Sequence, residues 1–260
     1  MRSILVYADR SPAMEPRLQS ALALARSFGG HVTVLIDTPT TRYIAMDPMG
    51  GSYLSAEALA NAMAEDERQA AALEARLARE DVAFDILRSD VEAVPALATA
   101  ARLADLTVVS RSSRLAGELA LNSRTPVLLL PDDRALTVPL ARACVAWDGG
   151  DEAALALRLA APLLATAGAV QVLTVEEKPS GFVADDALRY LARHGVSAEL
   201  VELKREGSTE ATLAKAVAAA GADLLVMGAY GRSRMREYLF GGVTRHFIED
   251  NAAPALLLAH

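Results

Sequence analysis

The sequence is poor in the residues that build disulfide frameworks and metal centres. It contains one cysteine, Cys144, and four histidines among 260 residues. A single cysteine excludes a disulfide within the chain and is compatible with a reducing compartment. His31, His194, His246 and His260 show no metal-ligand spacing and have no companion cysteines, so the sequence predicts no metal site. Cys144 lies inside an apolar run, which indicates a buried residue rather than a nucleophile.

The chain also lacks a basic excess and a long uncharged apolar run. It has 33 acidic and 26 basic residues, a formal net charge of −7 and a pI near 5.2. This balance argues against broad nucleic-acid binding, which needs a basic face. Charges at Arg158, Lys215 and Asp223 interrupt the longest apolar runs, and Asp9 interrupts the first one too early for a signal peptide. We therefore expect a cytoplasmic protein without nucleic-acid or membrane partners.

Catalytic glycine and nucleophile motifs are absent as well: there is no G-x-G-x-x-G, no P-loop lysine motif and no G-x-S-x-G. Apolar residues make up 52% of the chain, which indicates a globular protein. Their periodicity predicts alternating strands and helices in the first half. Strands are predicted at 4–8, 31–36, 82–87, 106–109 and 126–130, and helices at 17–28, 56–80, 91–103 and 114–121. Residues 38–53, rich in Thr, Pro, Gly and Met, are predicted to form a mobile loop.

The same order then starts again. Strands are predicted at 143–147, 170–175, 198–203, 224–227 and 255–258, and helices at 151–167, 184–194, 208–220 and 243–250. Asp151 is predicted to cap the first of these helices, and Ser208 starts the third. Asp9 and Asp148, each after a first strand, are 139 residues apart, and Pro126 and Pro254, each at a fifth strand, are 128 apart. The chain is therefore predicted to be an internal duplication, with domains at 1–138 and 139–260. The fold class is α/β: two tandem doubly wound domains, each with a five-stranded parallel sheet and helices on both faces.

A glycine-rich stretch distinguishes the second half from the first. Gly228 follows the fourth strand, Gly231 comes three residues later, and Gly241 precedes the next helix after nine more residues. Glycines permit close approach of the backbone, and unpaired N–H groups at a helix start favour anions. Ligands of such folds bind at the carboxyl ends of the strands, where Asp148 would share a crevice with Gly228. The stretch therefore predicts a phosphate-binding loop. Several arginines follow Gly231, and Arg232 is the nearest of them to this glycine.

A strand ending at Asp148, followed by a helix, a strand and then Gly228-x2-Gly231-x9-Gly241, resembles the universal stress protein family and its tandem members. The resemblance implies a strand order of 3-2-1-4-5 in each half and an adenine nucleotide, ATP with or without Mg²⁺, bound in the second half. Carried over residue by residue, it implies binding by Asp148, by an apolar residue of 172–175 such as Val175, and by the loop glycines. The predicted binding set is Asp148, Val175, Gly228, Gly231, Arg232, Gly241, Gly242, Val243 and Thr244.

Two departures from the family pattern affect this prediction. The residue after the third glycine is Ser or Thr in the family but is Gly242 here, and the nearest hydroxyl belongs to Thr244. The missing hydroxyl removes a phosphate contact of about 1 kcal/mol. In the first half the equivalent loop, residues 110–114, has no glycine pair and is ten residues shorter. We therefore predict that the first half does not bind a triphosphate in the family manner.

Several residues have a simpler structural interpretation beside the functional one. The glycines would also serve close packing of helix and strand, and Asp148 would also form a turn before Gly149. Asp9 would be a relic of the duplication, salt-linked to Arg10 or Arg111. The stretch from 43 to 53 is either a lid or an interaction surface, or else a disordered insertion.

Three functions remain open from the residues. The first is a nucleotide-binding sensor in a stress response, with little or no turnover. The second is a scaffold that binds no nucleotide and acts through domain pairing. The third, a slow ATPase, is least favoured because no residue of the loop clearly positions a nucleophile. The fifth strands, 126–130 and 255–258, would lie at sheet edges, where the two halves would pair with each other or a homodimer would form.

Overall fold

Strands and helices alternate in the first half in the predicted order. The computed structural model describes residues 1–46, 52–113, 115–175, 182–229 and 242–260. The first half contains β1 (Ser3–Tyr7), α1 (Met14–Phe28), β2 (His31–Asp37), β3 (Ile44–Met46), β4 (Ser52–Leu54), α2 (Ala56–Leu77), β5 (Ala83–Ser89), α3 (Ala93–Ala100), β6 (Leu106–Ser110), α4 (Ala116–Asn122) and β7 (Val127–Leu130). Short 3₁₀ turns lie at Thr40–Tyr43 and Ala101–Leu103.

The described residues of the second half repeat this order, without a counterpart of the β3–β4 hairpin among them. They contain β8 (Arg142–Ala146), α5 (Asp151–Leu164), β9 (Ala169–Val175), α6 (Ala184–Arg193), β10 (Ala198–Leu203), α7 (Thr209–Ala220), β11 (Leu224–Gly228), α8 (Gly242–Glu249) and β12 (Ala255–Ala259). The predicted α/β fold class with two tandem units is confirmed.

Two local expectations were wrong. The stretch 38–53 is not a plain loop where the structure describes it, because a 3₁₀ turn leads into a hairpin in which Ile44 pairs with Leu54. Asp151 does not cap α5: the N-cap is Gly150, and Asp151 is the first helical residue. By contrast, Ser208 caps α7 as its position predicted, and its Oγ accepts a hydrogen bond from the Ala211 N–H at 3.3 Å.

All ten long strands form one sheet, in the order β10-β9-β8-β11-β12-β7-β6-β1-β2-β5. Counted within each half, this is 3-2-1-4-5. Neighbours within a half are parallel, whereas β12 and β7 pair antiparallel, with Leu257 opposite Leu128. The two halves therefore pair through their fifth strands, and the sheet edges are β5 and β10.

The helices cover both faces of the sheet. Helices α1, α2, α5 and α6 pack over one apolar cluster, and α3, α4, α7 and α8 pack over the other. Each cluster contains residues of both halves, so the core is continuous across the antiparallel junction. Cys144 belongs to it: the residue is 1% exposed, and burial raises the pKa of its thiol to about 11. Within the described ranges, no helix combines the length and apolarity needed to cross a bilayer.

Because the halves meet antiparallel, their strands point in opposite directions. The carboxyl ends of the second-half strands lie at one end of the sheet, and those of the first-half strands lie at the opposite end. Because ligands of such folds bind at the carboxyl ends of the strands, the candidate crevices of the two halves lie at opposite ends of the sheet.

Candidate functional site

Three adjacent strands of the second half bring predicted binding residues to the same end of the sheet. β8 lies between β9 and β11, and all three run parallel. Val175 ends β9, Gly228 ends β11, and Asp148 follows β8 by two residues. The register pairs Ala146 with Leu173, which sets Asp148 level with Val175. Val175 packs against the apolar cluster under α7 and α8. The sheet thus unites these three residues of the predicted set.

Gly228 lies directly against the first turn of α5. A Cβ atom at this position would lie 2.6 Å from the backbone nitrogen of Ala153 and 2.6 Å from the backbone carbon of Glu152. Backbone atoms at that distance cannot give way, so only glycine fits without displacing the helix. Gly228 therefore allows helix and strand to pack closely, as one of its two interpretations predicts. This packing places the N-terminus of α5 next to the carboxyl end of β11.

Asp148 forms the turn that leads into α5. Its Oδ1 accepts a hydrogen bond from the Gly150 N–H at 2.9 Å, and Gly149 has a φ of 76°. A left-handed backbone favours glycine at that position. Asp148 is exposed despite this bond. Asp148 thus forms the predicted turn, and its carboxylate is exposed at the carboxyl end of β8.

Helix α8 supplies the last part of the predicted set. Its first three residues are Gly242, which is exposed, Val243, which packs on the apolar cluster, and Thr244, which is 3% exposed. Gly231, Arg232 and Gly241 lie outside the described residues. A Cβ on Gly242 would lie 3.9 Å from both carboxylate oxygens of Glu210, in the first turn of α7.

Sequence reasoning missed Glu210. The carboxylate lies beside the N-terminus of α8, which is the end of a helix that attracts anions. Nothing in the spacing of the motif indicates it, because Glu210 and Gly242 are 32 residues apart in the chain. Only the packing of α7 against α8 brings the two together.

The equivalent crevice of the first half contains a buried ion pair. Arg17, 0% exposed, donates a hydrogen bond from Nη2 to Asp9 Oδ1 at 2.6 Å, and its guanidinium lies 5.7 Å from the centre of the Tyr7 ring. Burial opposes ionisation of Asp9, but the hydrogen bond and the charge of Arg17 outweigh it and lower the pKa of Asp9. The expected salt link to Arg10 or Arg111 is therefore wrong. Asp9 is paired with Arg17 because α1 projects this side chain under β1.

Helix α2 closes the first-half crevice further. Gln69 Nε2 donates to the backbone oxygens of Ala8 and Asp9, at 3.3 Å each. Asp66 accepts hydrogen bonds from Arg10 and Thr38. Among the described residues of the second half, the helix at the corresponding place is α6, which has 10 residues against 22 in α2.

The difference between the surroundings of Asp9 and Asp148 could have been predicted by aligning the two halves of the sequence. The 139-residue offset that matches Asp9 with Asp148 matches Arg17 with Ala156, which is 0% exposed in α5. A buried arginine in one half thus stands where the other half has a methyl group. Ala156 therefore cannot form the ion pair that Arg17 forms in the first half.

Both halves match the sequence profile of the universal stress protein family, over residues 1–128 and 140–258. None of the curated proteins compared with the chain matches it in sequence. A universal stress protein from Archaeoglobus fulgidus DSM 4304 is similar in structure, with 17% identity, a TM-score of 0.73 and coverage of 98% of this chain and 97% of its own.

A putative universal stress protein from Pseudomonas aeruginosa UCBPP-PA14 has 16% identity and a TM-score of 0.62, and covers 100% of this chain and 93% of its own. A universal stress protein solved in complex with cAMP aligns with 46% of this chain and 97% of its own, at 20% identity and a TM-score of 0.35. That similarity is too low to assign a ligand here. The two-domain likenesses establish the fold, and the profile matches cover both halves. The chain belongs to the universal stress protein family.

Proposed function

We propose that this protein binds an adenine nucleotide, ATP, in the crevice of its second half, and that it acts as a cytoplasmic stress-response sensor with little turnover. The base packs on Val175, Asp148 contacts the ribose or base, and the phosphates lie at Gly228 and at the N-terminus of α8. Gly231, Arg232, Gly241, Gly242, Val243 and Thr244 complete the contacts, and Mg²⁺ accompanies the phosphates.

The observation that carries this proposal is the contrast between the two crevices. In the first half, Arg17 neutralises Asp9 and α2 covers the strand end. In the second half, Ala156 replaces the arginine and Asp148 is exposed beside Val175. This contrast supports binding of a ligand in the second half rather than in neither.

Isothermal titration of the full chain with ATP and Mg²⁺ tests the proposal. We expect saturable binding of one nucleotide per chain. Asp148→Ala should weaken ATP binding at least tenfold without unfolding the protein, because the side chain is exposed and accepts its hydrogen bond from Gly150 in a surface turn.

The matched control is Asp185→Ala, which removes an exposed aspartate from the first turn of α6 in the same half. This variant should bind ATP like the wild type. Absence of ATP binding by the wild type, or equal affinities of the wild type and the Asp148→Ala variant, would contradict the proposal.

A further inference from the structure

Arg111, from the degenerate loop of the first half, reaches into the second half. The residue directly follows β6 and is 4% exposed. Its Nη1 donates a hydrogen bond to the backbone oxygen of Asp250, and its Nη2 donates one to the backbone oxygen of Pro254. Both acceptors lie in the turn between α8 and β12. One guanidinium therefore holds both ends of the segment that ends the helix of the proposed phosphate site.

The chemistry of this contact suits the end of a helix. The last carbonyls of a helix have no partner within it, and a cation is favourable at that end of the dipole. Burial lowers the pKa of Arg111, and the nearby charge of Asp250 opposes that effect. Apolar packing acts at the same place: α4 contacts α8, and Leu119 and Phe247 belong to one buried cluster. Helix α8 is thus anchored from the first half at its C-terminal end.

Within the part of the chain that the structure describes, the equivalent position of the second half carries no such anchor. Arg111 and Ala229 occupy equivalent positions, because the N–H of Arg111 donates to Leu130 and that of Ala229 donates to Ala259, at 2.8 Å in both cases. Alanine has no side chain that could reach across the junction. The first-half turn that would receive it is closed locally, where Thr125 Oγ1 donates to the backbone oxygen of Ala101 at 2.5 Å.

We propose that Arg111 is a positioning residue for nucleotide binding in the second half. This inference rests on the function proposed above. Helix α8 has eight residues and a length of about 12 Å, so an anchor at its C-terminal end sets the direction of the N–H groups at its N-terminal end. The half without the glycine-rich stretch thereby sets the direction of the helix that follows this stretch in the other half. By linkage, a bound nucleotide strengthens the Arg111 contact in return.

The test compares ATP with adenosine on the full chain. We expect Arg111→Ala to weaken ATP binding at least fivefold and to leave the affinity for adenosine unchanged, since adenosine lacks the phosphates that meet α8. Arg111→Lys, which keeps the charge and one donor direction, should recover part of the ATP affinity. A merely structural defect would lower both affinities together. Arg124→Ala, at an exposed arginine of the same half, is the matched control and should bind both ligands normally.

Hydrogen exchange on the wild type gives a readout that needs no variant. ATP should slow amide exchange both at 242–249 and in the turn at 250–255, which carries the Arg111 contact. Slowing confined to the start of α8, or equal ATP affinities of Arg111→Ala and the wild type, overturns this inference and leaves the proposed function standing. A wild type that binds no ATP overturns both.

Discussion

A single exchange of side chains separates the two crevices at the scale of residues. Arg17 and Ala156 occupy equivalent places in α1 and α5, and both are fully buried. The arginine forms an ion pair with Asp9 that is shielded from water on the Arg17 side. A buried pair of this kind contributes little net stability, yet losing one partner leaves an uncompensated charge. Arg17 therefore makes Asp9 a structural residue, whereas Asp148 is exposed at the carboxyl end of β8.

Asp9→Asn should lower the free energy of unfolding by about 3 kcal/mol, because it leaves the Arg17 charge buried without its counter-ion. The double variant Asp9→Asn with Arg17→Met should recover most of this loss, since no buried charge remains. Urea denaturation of the wild type, both single variants and the double variant measures the coupling. Additive losses would show that the two side chains do not act as a pair.

The same pair predicts a pH dependence. The pKa of Asp9 is lowered in the folded protein, so its contribution is present at pH values above the unfolded pKa. Stability should be lost as the pH falls through the folded pKa, and the Asp9→Asn variant should lack this component. Denaturation midpoints between pH 7 and pH 3 give the comparison. A parallel decline in both proteins would speak against the assignment.

At the scale of elements, two features at the N-terminus of α8 would act on a bound phosphate in opposite directions. Its N-terminus favours an anion, and the Glu210 carboxylate already lies beside it. Two unit charges about 4 Å apart interact by about 1 kcal/mol in bulk water and more strongly near a protein surface. Glu210 would therefore repel a phosphate at this end of α8, and it adds to the effect of the hydroxyl that Gly242 lacks.

Glu210→Gln should raise the affinity for ATP about fivefold, since it removes a repulsion of about 1 kcal/mol and keeps the size of the side chain. The gain should shrink at high salt, because counter-ions screen partly exposed charges. Titration calorimetry with ATP at two ionic strengths measures both effects. The matched control is Glu249→Gln, an identical charge change at the opposite end of α8. An equal gain in the control variant would show that only net charge matters.

The elements themselves were largely predictable. Helix and strand periods reproduce most bounds to within a few residues, because buried positions recur with the period of each element. The β3–β4 hairpin was missed because its strands have three residues each and follow a turn-rich stretch. Its neighbour α2 was predicted as a helix, but its role in covering Asp9 depends on Gln69, a contact 60 residues distant in sequence.

At the scale of the whole molecule, one sheet unites the two halves. The β7–β12 pair joins them, and the apolar clusters on both faces run across the junction. Neither half has an exposed fifth strand, because the fifth strand of each half pairs with the backbone N–H and C=O groups of the other. The halves should therefore unfold together, although a duplicated chain of this length could in principle behave as two domains.

Scanning calorimetry of the full chain should show a single transition. ATP at one hundred times its dissociation constant should stabilise the folded chain by about 2.7 kcal/mol, and the entire transition should move to higher temperature. Two separate peaks, of which ATP moves only one, would show that the halves unfold independently.

The sequence by itself determined the duplicated α/β order and the family pattern around Asp148, Gly228 and the loop glycines, but it left open whether the two halves pair with each other. These follow from local periods, from turn residues and from a repeat that can be read along the chain. The tertiary structure decided which crevice is closed and what faces α8. The contacts of Arg17 with Asp9, Glu210 with Gly242 and Arg111 with Asp250 join residues that are 8, 32 and 139 positions apart. No local preference specifies such contacts: the packing of helices on the twisted sheet brings them together.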